Sequence, residues 1–292
     1  AAPNTNFLFI AGGGQHSLAL RAGGVVAAWG RGAEGQTNVP APNTNFIALA
    51  GGGLHSVGLK RDGSVVAWGL NSSGQTNVPT PNTNFIAIAA GWNHSLALRA
   101  NGTVAAWGSD NYGQVAVPSP NTNFIAVAAG GYHSLGLKAG GVIVAWGRNT
   151  DGQTNVPAPN ANFVAVSGGI SHSVGLKTDG TVIAWGNNDF GQCDVPTNLF
   201  DVIAVAANGY HTLAMKTDGS IVAWGRNTDG QTNVPAPNAS FGRRGAVVAP
   251  SRGSVTGGYS VAISGQFLPG DVTNVTLAGW TAAIAGQSAT QV

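Results

Sequence analysis

Residues 85–123 read FIAIAAGWNHSLALRANGTVAAWGSDNYGQVAVPSPNTN, and this stretch decides the fold because the chain repeats it. Its apolar runs are short, they alternate with polar residues, and Gly, Asn and Asp bound them, which is typical of β-strands. We expect four strands, at residues 86–90, 95–99, 103–107 and 115–117. Each copy of the stretch therefore predicts a small antiparallel sheet.

The copies follow one another at a constant step of 39 residues. The tripeptide Ala-Trp-Gly carries Trp29, Trp68, Trp107, Trp146, Trp185 and Trp224. The histidines keep the same step at His16, His55, His94, His133, His172 and His211. A Gly-Gln pair and a Val-Pro pair also recur in every copy, so the chain contains six repeat units between residues 7 and 240.

The turns inside each unit support an antiparallel arrangement. Residues 100–102 read A-N-G, and three other units have T-D-G or R-D-G at this place. Asn-Gly and Asp-Gly supply the positive φ that two-residue hairpins need. Because one such sheet is too small to be stable alone, the units must pack against each other. Radial packing predicts an all-β fold, a β-propeller of four-stranded repeats.

The composition excludes several classes of protein. Only 8% of the 292 residues are charged, the net charge is +2, and 45 residues are Gly. The charges are spread thinly, without the basic cluster that nucleic-acid binding requires, so we predict no nucleic-acid partner. No run of 18 apolar residues occurs, so we predict no membrane-spanning segment. The lone Cys193 cannot form an intramolecular disulfide.

The repeated pattern carries a family resemblance. A-G-x-x-H-S-x-x-L, then G-x-V-x-A-W-G and then G-Q, resembles the regulator of chromosome condensation repeat. That family forms seven-bladed propellers, so the resemblance implies seven blades where six units are visible. The sequence pattern A-W-G-x-N-x-x-G-Q-x-x-V-P is similar to that of the bacterial branch that includes the β-lactamase inhibitory protein of the second type. This branch implies an exported bacterial protein, extracellular or at the cell surface.

We divide the chain into a repeat array at residues 1–241 and a second region at 242–292. The second region resembles the start of an IPT/TIG immunoglobulin-like domain through Pro250, Gly253, Gly257, Gly258 and the stretch VAISG at 261–265. Residues 1–6 match the linker before each later unit, and the second region stops before an immunoglobulin-like sandwich would be complete. We therefore expect the full protein to extend beyond both ends.

The histidines are candidates for metal binding, since imidazole is a common metal ligand. Equivalent positions of a propeller lie one per blade, however, whereas a metal ion needs three or four ligands around one point. We predict that each histidine instead hydrogen-bonds to the backbone of its own or the next unit, and that the protein holds no metal and no cofactor. The sequence shows no nucleophile elbow, triad order or paired-acid motif, so we predict no enzyme activity.

The units differ most in two loops, the turn before each histidine and the loop after each Trp-Gly. Both loops emerge on one side of the predicted propeller, whereas the nearly constant Pro-Asn-Thr-Asn linkers lie on the other. Variation on a fixed scaffold is typical of partner recognition. The predicted partner-binding residues on the variable side are Trp92, Asn93, Tyr112, Tyr132, Phe190, Tyr210, Leu54 and Ile170.

The aromatic residues on this side are placed at predicted junctions between units. Tyr112 and Tyr132 meet at one junction with Trp92 beside them, and Phe190 and Tyr210 meet at another. Exposed aromatic groups are typical binding anchors, and the alternative is that they only cover the junctions. We predict a non-enzymatic module that binds a protein, with a glycan as the second type of ligand. The resemblance also implies two alternatives, an inhibitor of a secreted enzyme such as a class A β-lactamase and a guanine-nucleotide exchange factor.

Overall fold

The computed structural model describes residues 7–236, residue 238, and the backbone of residues 274–277 and 280–283. The repeats form antiparallel three-stranded sheets in chain order, and units 1 to 6 begin at Phe7, Phe46, Phe85, Phe124, Phe163 and Val202. In the part of the chain that is described, no helix has the length and apolarity to cross a membrane.

The strands of units 1 to 3 are β1 (Phe7–Gly12), β2 (His16–Arg21), β3 (Val25–Gly30), β4 (Phe46–Gly51), β5 (His55–Lys60), β6 (Val65–Gly69), β7 (Phe85–Ala90), β8 (His94–Arg99) and β9 (Val104–Gly108). The strands of units 4 to 6 are β10 (Phe124–Ala129), β11 (His133–Lys138), β12 (Val142–Gly147), β13 (Phe163–Gly168), β14 (His172–Lys177), β15 (Val182–Gly186), β16 (Val202–Asn208), β17 (His211–Lys216) and β18 (Ile221–Gly225). A separate hairpin pairs β19 (Asn274–Leu277) with β20 (Trp280–Ala283). The rest of the expected IPT/TIG-like region lies outside the described residues.

The first three predicted strands of unit 3 are confirmed to within one residue, because β7, β8 and β9 follow the alternating runs. The hairpin between β8 and β9 turns at Gly102, whose φ is +78°, a conformation that favours glycine. A register shift between Phe85 and Ala87 marks a bulge in the pairing of β7 with β8. The equivalent shift occurs in each of the other units, so the bulge belongs to the repeat.

The predicted fourth strand at residues 115–117 is wrong. The amide of Ala116 donates to the carbonyl of Gly113 at 3.1 Å, and the amide of Val117 donates to that of Val115 at 3.0 Å. These local turns use the donors that a sheet ladder would need, and Pro118 has no amide hydrogen to offer. The segment still contributes to packing, because Val117 lies against the core between units 3 and 4. The repeats are therefore three-stranded.

The hydrophobic core lies between successive sheets. Strand β10 of unit 4 packs against β7 and β8 of unit 3. The cluster between these two units joins Leu96 and Leu98 from one side with Phe124, Val127 and Trp146 from the other. Similar clusters lie at the other junctions between the described units. Both faces of an inner sheet are thus buried, as expected for the blades of a propeller.

A hydrogen-bond chain crosses each junction through the histidines. Nε2 of His94 lies 3.0 Å from Oγ of Ser134 in the next unit, and that hydroxyl donates to the backbone carbonyl of Gln114 at 2.8 Å. Since the hydroxyl has one hydrogen, Nε2 of His94 is the donor to Oγ. The same histidine bond joins His16 to Ser56, His55 to Ser95, His133 to Ser173, and His172 to Thr212. The predicted backbone partner is therefore wrong, because the histidine contacts a side-chain hydroxyl.

The tryptophans form the second repeated bond between units. Nε1 of Trp107 donates to the carbonyl of Gln75 in the preceding unit at 2.9 Å, and the ring is 6% exposed. Trp68, Trp146, Trp185 and Trp224 donate to the equivalent glutamine carbonyl. Trp29 in unit 1 is 51% exposed, because no described unit precedes it. The large ring fills the space between sheets only where a neighbouring unit supplies the other wall.

Candidate interaction face

The loops leave the sheets on two opposite sides. The amide of Ser109, after Trp-Gly, donates to the carbonyl of Asn93 before His94 at 2.8 Å, so these two loops share one side. The amide of Phe124, at the end of a linker, donates to the carbonyl of Gly102 in a hairpin at 3.0 Å, so linkers and hairpins share the other. We call the first side the variable face and the second the linker face.

Aromatic rings from neighbouring units meet on the variable face. Trp92 and Tyr132 are stacked, with centroids 6.3 Å apart and planes at 10°. Tyr112 approaches Tyr132 edge-on at 5.6 Å. Phe190 and Tyr210 form the second group, with centroids 5.2 Å apart. The structure thus brings together both aromatic pairs that the repeat spacing placed at junctions, with Trp92 beside the first.

A depression of about 430 Å³ opens on the variable face. Its lining residues are Trp92, Tyr132, Arg148, Asp151, Ile170, Ser171, Asn187, Asp189, Phe190 and Tyr210. Five of the predicted binding residues are among them, Trp92, Tyr132, Ile170, Phe190 and Tyr210. They come from units 3, 4, 5 and 6, so the depression exists only in the assembled array.

The other three predicted residues lie outside this depression. Leu54 lines a smaller hollow of about 100 Å³, which it shares with Trp92. Tyr112 contacts the ring of Tyr132 from outside and is 49% exposed. Asn93 is half-buried and lines neither space, and its carbonyl accepts the amide of Ser109. The structure therefore brings Leu54 and Tyr112 next to the aromatic residues that line the depression, whereas Asn93 lines neither space.

The repeated glutamines hold the loops that carry the aromatic residues. Gln192 is fully buried, and its Oε1 accepts the amide of Phe190 at 2.9 Å. Gln114 accepts the amide of Tyr112 at the same distance. In both loops the glycine before the glutamine has positive φ, which allows the tight turn. A constant Gly-Gln pair thus positions a side chain that differs from unit to unit.

The charged lining of the depression is a part that sequence reasoning missed. The guanidinium of Arg148 lies 5.8 Å from the ring centroid of Tyr112 and 5.7 Å from that of Tyr132. Its Nη2 is 3.7 Å from Oδ2 of Asp151. Asn187 donates through Nδ2 to Asp189 at 2.8 Å and to Asp151 at 3.4 Å. The loops after Trp-Gly, R-N-T-D in unit 4 and N-N-D-F in unit 5, contain these residues, but their sequences do not show which side chains of neighbouring loops meet.

The histidines and Cys193 are side chains with the chemistry of metal ligands or nucleophiles. Within the described ranges, no three His, Cys, Asp or Glu side chains are grouped to hold a metal ion. Burial, with a smaller contribution from Asp194, raises the pKa of the Cys193 thiol to about 11. The thiol is therefore protonated at neutral pH and is a poor nucleophile. The variable face presents aromatic rings, amides and charges.

The repeat matches one known protein family. The model of the "Regulator of chromosome condensation (RCC1) repeat" matches residues 46–75, 85–114, 124–153, 163–192 and 202–231, together just over half of the chain. The chain belongs to the RCC1 repeat family. No curated protein sequence matches the chain significantly.

Solved structures show the same fold for this RCC1-repeat protein. Prp20p from Saccharomyces cerevisiae is 20% identical, with a TM-score of 0.68 over 80% of this chain and 75% of that one. The ectodomain of the receptor kinase CR4 from Physcomitrella patens is 25% identical, with a TM-score of 0.67 over 84% and 69% of the two chains. That of ACR4 from Arabidopsis thaliana is 28% identical, with a TM-score of 0.61 over 75% and 79%. The chain has an RCC1-like propeller fold, which is a protein-interaction scaffold.

Proposed function

We propose that this protein is a non-enzymatic interaction module that binds a partner protein through the variable face. The observation that carries the proposal is the convergence of Trp92, Tyr132, Ile170, Phe190 and Tyr210, from four units, around one open depression. Repeat proteins recognise partners through side chains that vary on a constant scaffold. The side chains that line this depression vary from unit to unit, whereas the strands that carry them are constant.

The aromatic residues have the properties of binding anchors. Trp92 is 39% exposed and Phe190 is 46% exposed, so both have surface to bury against a partner. Their orientation is set in advance, because Trp92 stacks on Tyr132 and Phe190 packs on Tyr210. Rigid aromatic groups lose little conformational entropy on binding, and few such groups carry most of the affinity of an interface.

The sequence of the linkers is nearly constant for a structural reason. Oδ1 of Asn121 accepts the amide of Val104 at 2.8 Å, and its Nδ2 donates to the carbonyl of the same residue at 2.8 Å. Asn43, Asn82 and Asn160 make the same pair of bonds with the third strands of their units. These bonds explain why the first asparagine of the linker recurs, and no partner is needed to account for it.

Our proposals for the partner and the location of the protein rest on the sequence variant of the repeat. We propose an exported bacterial protein, because the A-W-G-x-N-x-x-G-Q-x-x-V-P variant is similar to the branch that contains an inhibitor of β-lactamases. Class A β-lactamases are accordingly the first partners to test. Prp20p is a protein whose binding to Gsp1p and histones has been studied, but at 20% identity the likeness extends to the fold alone.

Binding measurements on two matched variants test the proposal. Trp92→Ala/Tyr132→Ala removes two aromatic groups of the variable face, and Lys138→Ala/Lys177→Ala removes two half-buried lysine side chains of the linker face. We expect the affinity for a bound partner to fall by at least about thirtyfold in the first variant, as for truncated anchor residues, and to stay unchanged in the second. The opposite pattern, with both variants folded, would place binding on the linker face and refute the proposal.

A further inference from the structure

The two faces of the propeller carry opposite charge. On the linker face each unit has one Lys or Arg at the end of its second strand, and Arg61 makes seven cations. Four carboxylates oppose them, Asp62, Asp179, Asp201 and Asp218. The variable face has three arginines and six carboxylates, Glu34, Asp110, Asp151, Asp189, Asp194 and Asp229. The net charges of +3 and −3 cancel over the described residues, which is why the composition of the chain does not reveal them.

Ion pairs within the variable face leave an excess of carboxylates. Each arginine is paired with an acid three residues later, Arg31 with Glu34 at 2.6 Å, Arg148 with Asp151 at 3.7 Å and Arg226 with Asp229 at 3.4 Å. The other three acids are Asp110, Asp189 and Asp194. No Lys or Arg of the described residues forms a salt bridge with them, and each accepts a hydrogen bond from an amide group. Three negative charges are thus uncompensated on this face.

The aromatic rings of the same face are suited to cations. The protein itself places Arg148 over Tyr112 and Tyr132, and Arg226 over Phe190 at 5.7 Å. Trp92 and Tyr210 line the depression, and in the described part of the chain no Lys or Arg lies over either ring. Asp189 lines the same depression. An aromatic ring beside a carboxylate is the combination that binds a Lys or Arg side chain, through cation–π attraction and a charged hydrogen bond.

We propose that the variable face recognises a basic protein surface, with a Lys or Arg side chain entering the depression between its aromatic rings and Asp189. This inference rests on the proposed function and adds the chemical class of the partner. A neutral glycan would use the rings and donate hydrogen bonds to the carboxylates, but it carries no positive charge to compensate them. The field of the molecule also orients such a partner, because the linker face, with its net charge of +3, repels it.

Two triple variants with the same net charge test whether binding depends on the position of the carboxylates or only on their number. Asp110→Asn/Asp189→Asn/Asp194→Asn neutralises the variable face. Asp62→Asn/Asp179→Asn/Asp218→Asn neutralises three carboxylates of the linker face. We expect the fold to tolerate both sets, because asparagine stands at an equivalent position of another unit in every case, for example at Asn149, Asn111, Asn155 and Asn101.

The probe is a capped twelve-residue peptide of Arg, Gly and Ser, titrated calorimetrically into the whole chain. We expect binding that weakens at least about threefold between 25 and 150 mM NaCl, since exposed charges are screened over a Debye length of about 10 Å. We expect the variable-face triple variant to bind at least about fivefold more weakly than the wild type, and the linker-face variant to bind equally well. Equal losses in both variants, or preference for a peptide with Glu in place of Arg, would overturn the inference. A neutral oligosaccharide such as cellohexaose that binds in a Trp92-dependent way, while the Arg peptide does not, would assign the face to glycans.

The same variants distinguish this inference from the proposed function. A partner lost by Trp92→Ala/Tyr132→Ala but retained by the variable-face triple variant supports the interaction face and refutes its preference for basic surfaces. A partner or peptide whose binding changes only with linker-face substitutions refutes both.

Discussion

The junctions between units and the variable face use the same repeat in opposite ways. At the junctions five histidine–hydroxyl bonds and five tryptophan–carbonyl bonds recur with nearly identical distances. On the variable face the backbone recurs but the side chains do not, so Tyr112 and Phe190 occupy equivalent loop positions where other units have Glu34, Ser73 and Asp151. Recurrence of residues identifies the contacts that hold the array together, and variation is found on the surface for which we propose a binding role.

The largest expected effect separates two tryptophans of the same motif. Trp107→Ala removes a buried ring and its bond to Gln75, and we expect a loss of about 3–5 kcal/mol in the free energy of unfolding. Trp29→Ala removes a ring that is 51% exposed, and we expect a loss below about 1 kcal/mol. Urea unfolding followed by far-UV circular dichroism measures both. Equal losses would mean that the tryptophan stabilises its own unit and that its packing against the neighbouring unit adds nothing to the free energy of unfolding.

Acid should weaken the junctions. Burial, with a smaller contribution from His16, lowers the pKa of His55 to about 3, and burial with a smaller contribution from His211 lowers that of His172 to about 4. The unfolded chain binds these protons near pH 6.5, so their contribution to stability is complete above pH 6.5 and is lost as the pH falls from there toward the folded values. At pH 5 the loss is about 2 kcal/mol for each of the two histidines. Unfolding midpoints that stay constant between pH 7 and pH 5 would show that folding does not lower the pKa values of these two histidines.

Single changes at one junction test the bond itself. His94→Ala leaves the Ser134 hydroxyl in a buried junction without its imidazole, and we expect a cost of about 1–3 kcal/mol. Ser134→Ala should cost a similar amount, and the double variant should cost less than the sum, because both remove one shared bond. Added zinc or chelator should leave the unfolding curve of the wild type unchanged. Stoichiometric zinc in the purified protein would restore the metal-binding interpretation of the histidines.

The smallest expected effect is on the variable face. Trp92→Ala and Phe190→Ala each remove an exposed ring, and we expect the free energy of unfolding to change by no more than about 0.5 kcal/mol. Thermal unfolding measures this directly. A loss of 2 kcal/mol or more would show that these rings cover the junctions, the alternative to a binding role.

The sequence predicted the parts of this protein that depend on short-range patterns. Alternation located β7, β8 and β9, and the constant step placed Tyr112 near Tyr132 and Phe190 near Tyr210. The fourth strand failed because alternation at residues 115–117 does not reveal that local turns use the amides of Ala116 and Val117. Polar contacts between units were also missed.

Those missed contacts depend on distances that sequence spacing does not provide. Asn187 reaches Asp151 across a junction, and Arg148 reaches the ring of Tyr112 across another. The separation of charge between the faces was also hidden, because successive loops along the chain lie on opposite faces. It becomes visible only when each loop is assigned to a side.

The uniform junctions have a consequence for the history of the gene. Every inner unit presents a tryptophan and a hydroxyl to the unit before it, and a histidine and a glutamine carbonyl to the unit after it. A duplicated unit therefore arrives with both halves of the contact and can be inserted beside any other unit. Residues 143–160 are identical to residues 221–238, as expected of a recent copying event within the gene. The two copies already differ in what they touch, because Arg148 lies over two tyrosines and Arg226 over a phenylalanine, so duplication alone gives the same loop a new chemical neighbourhood.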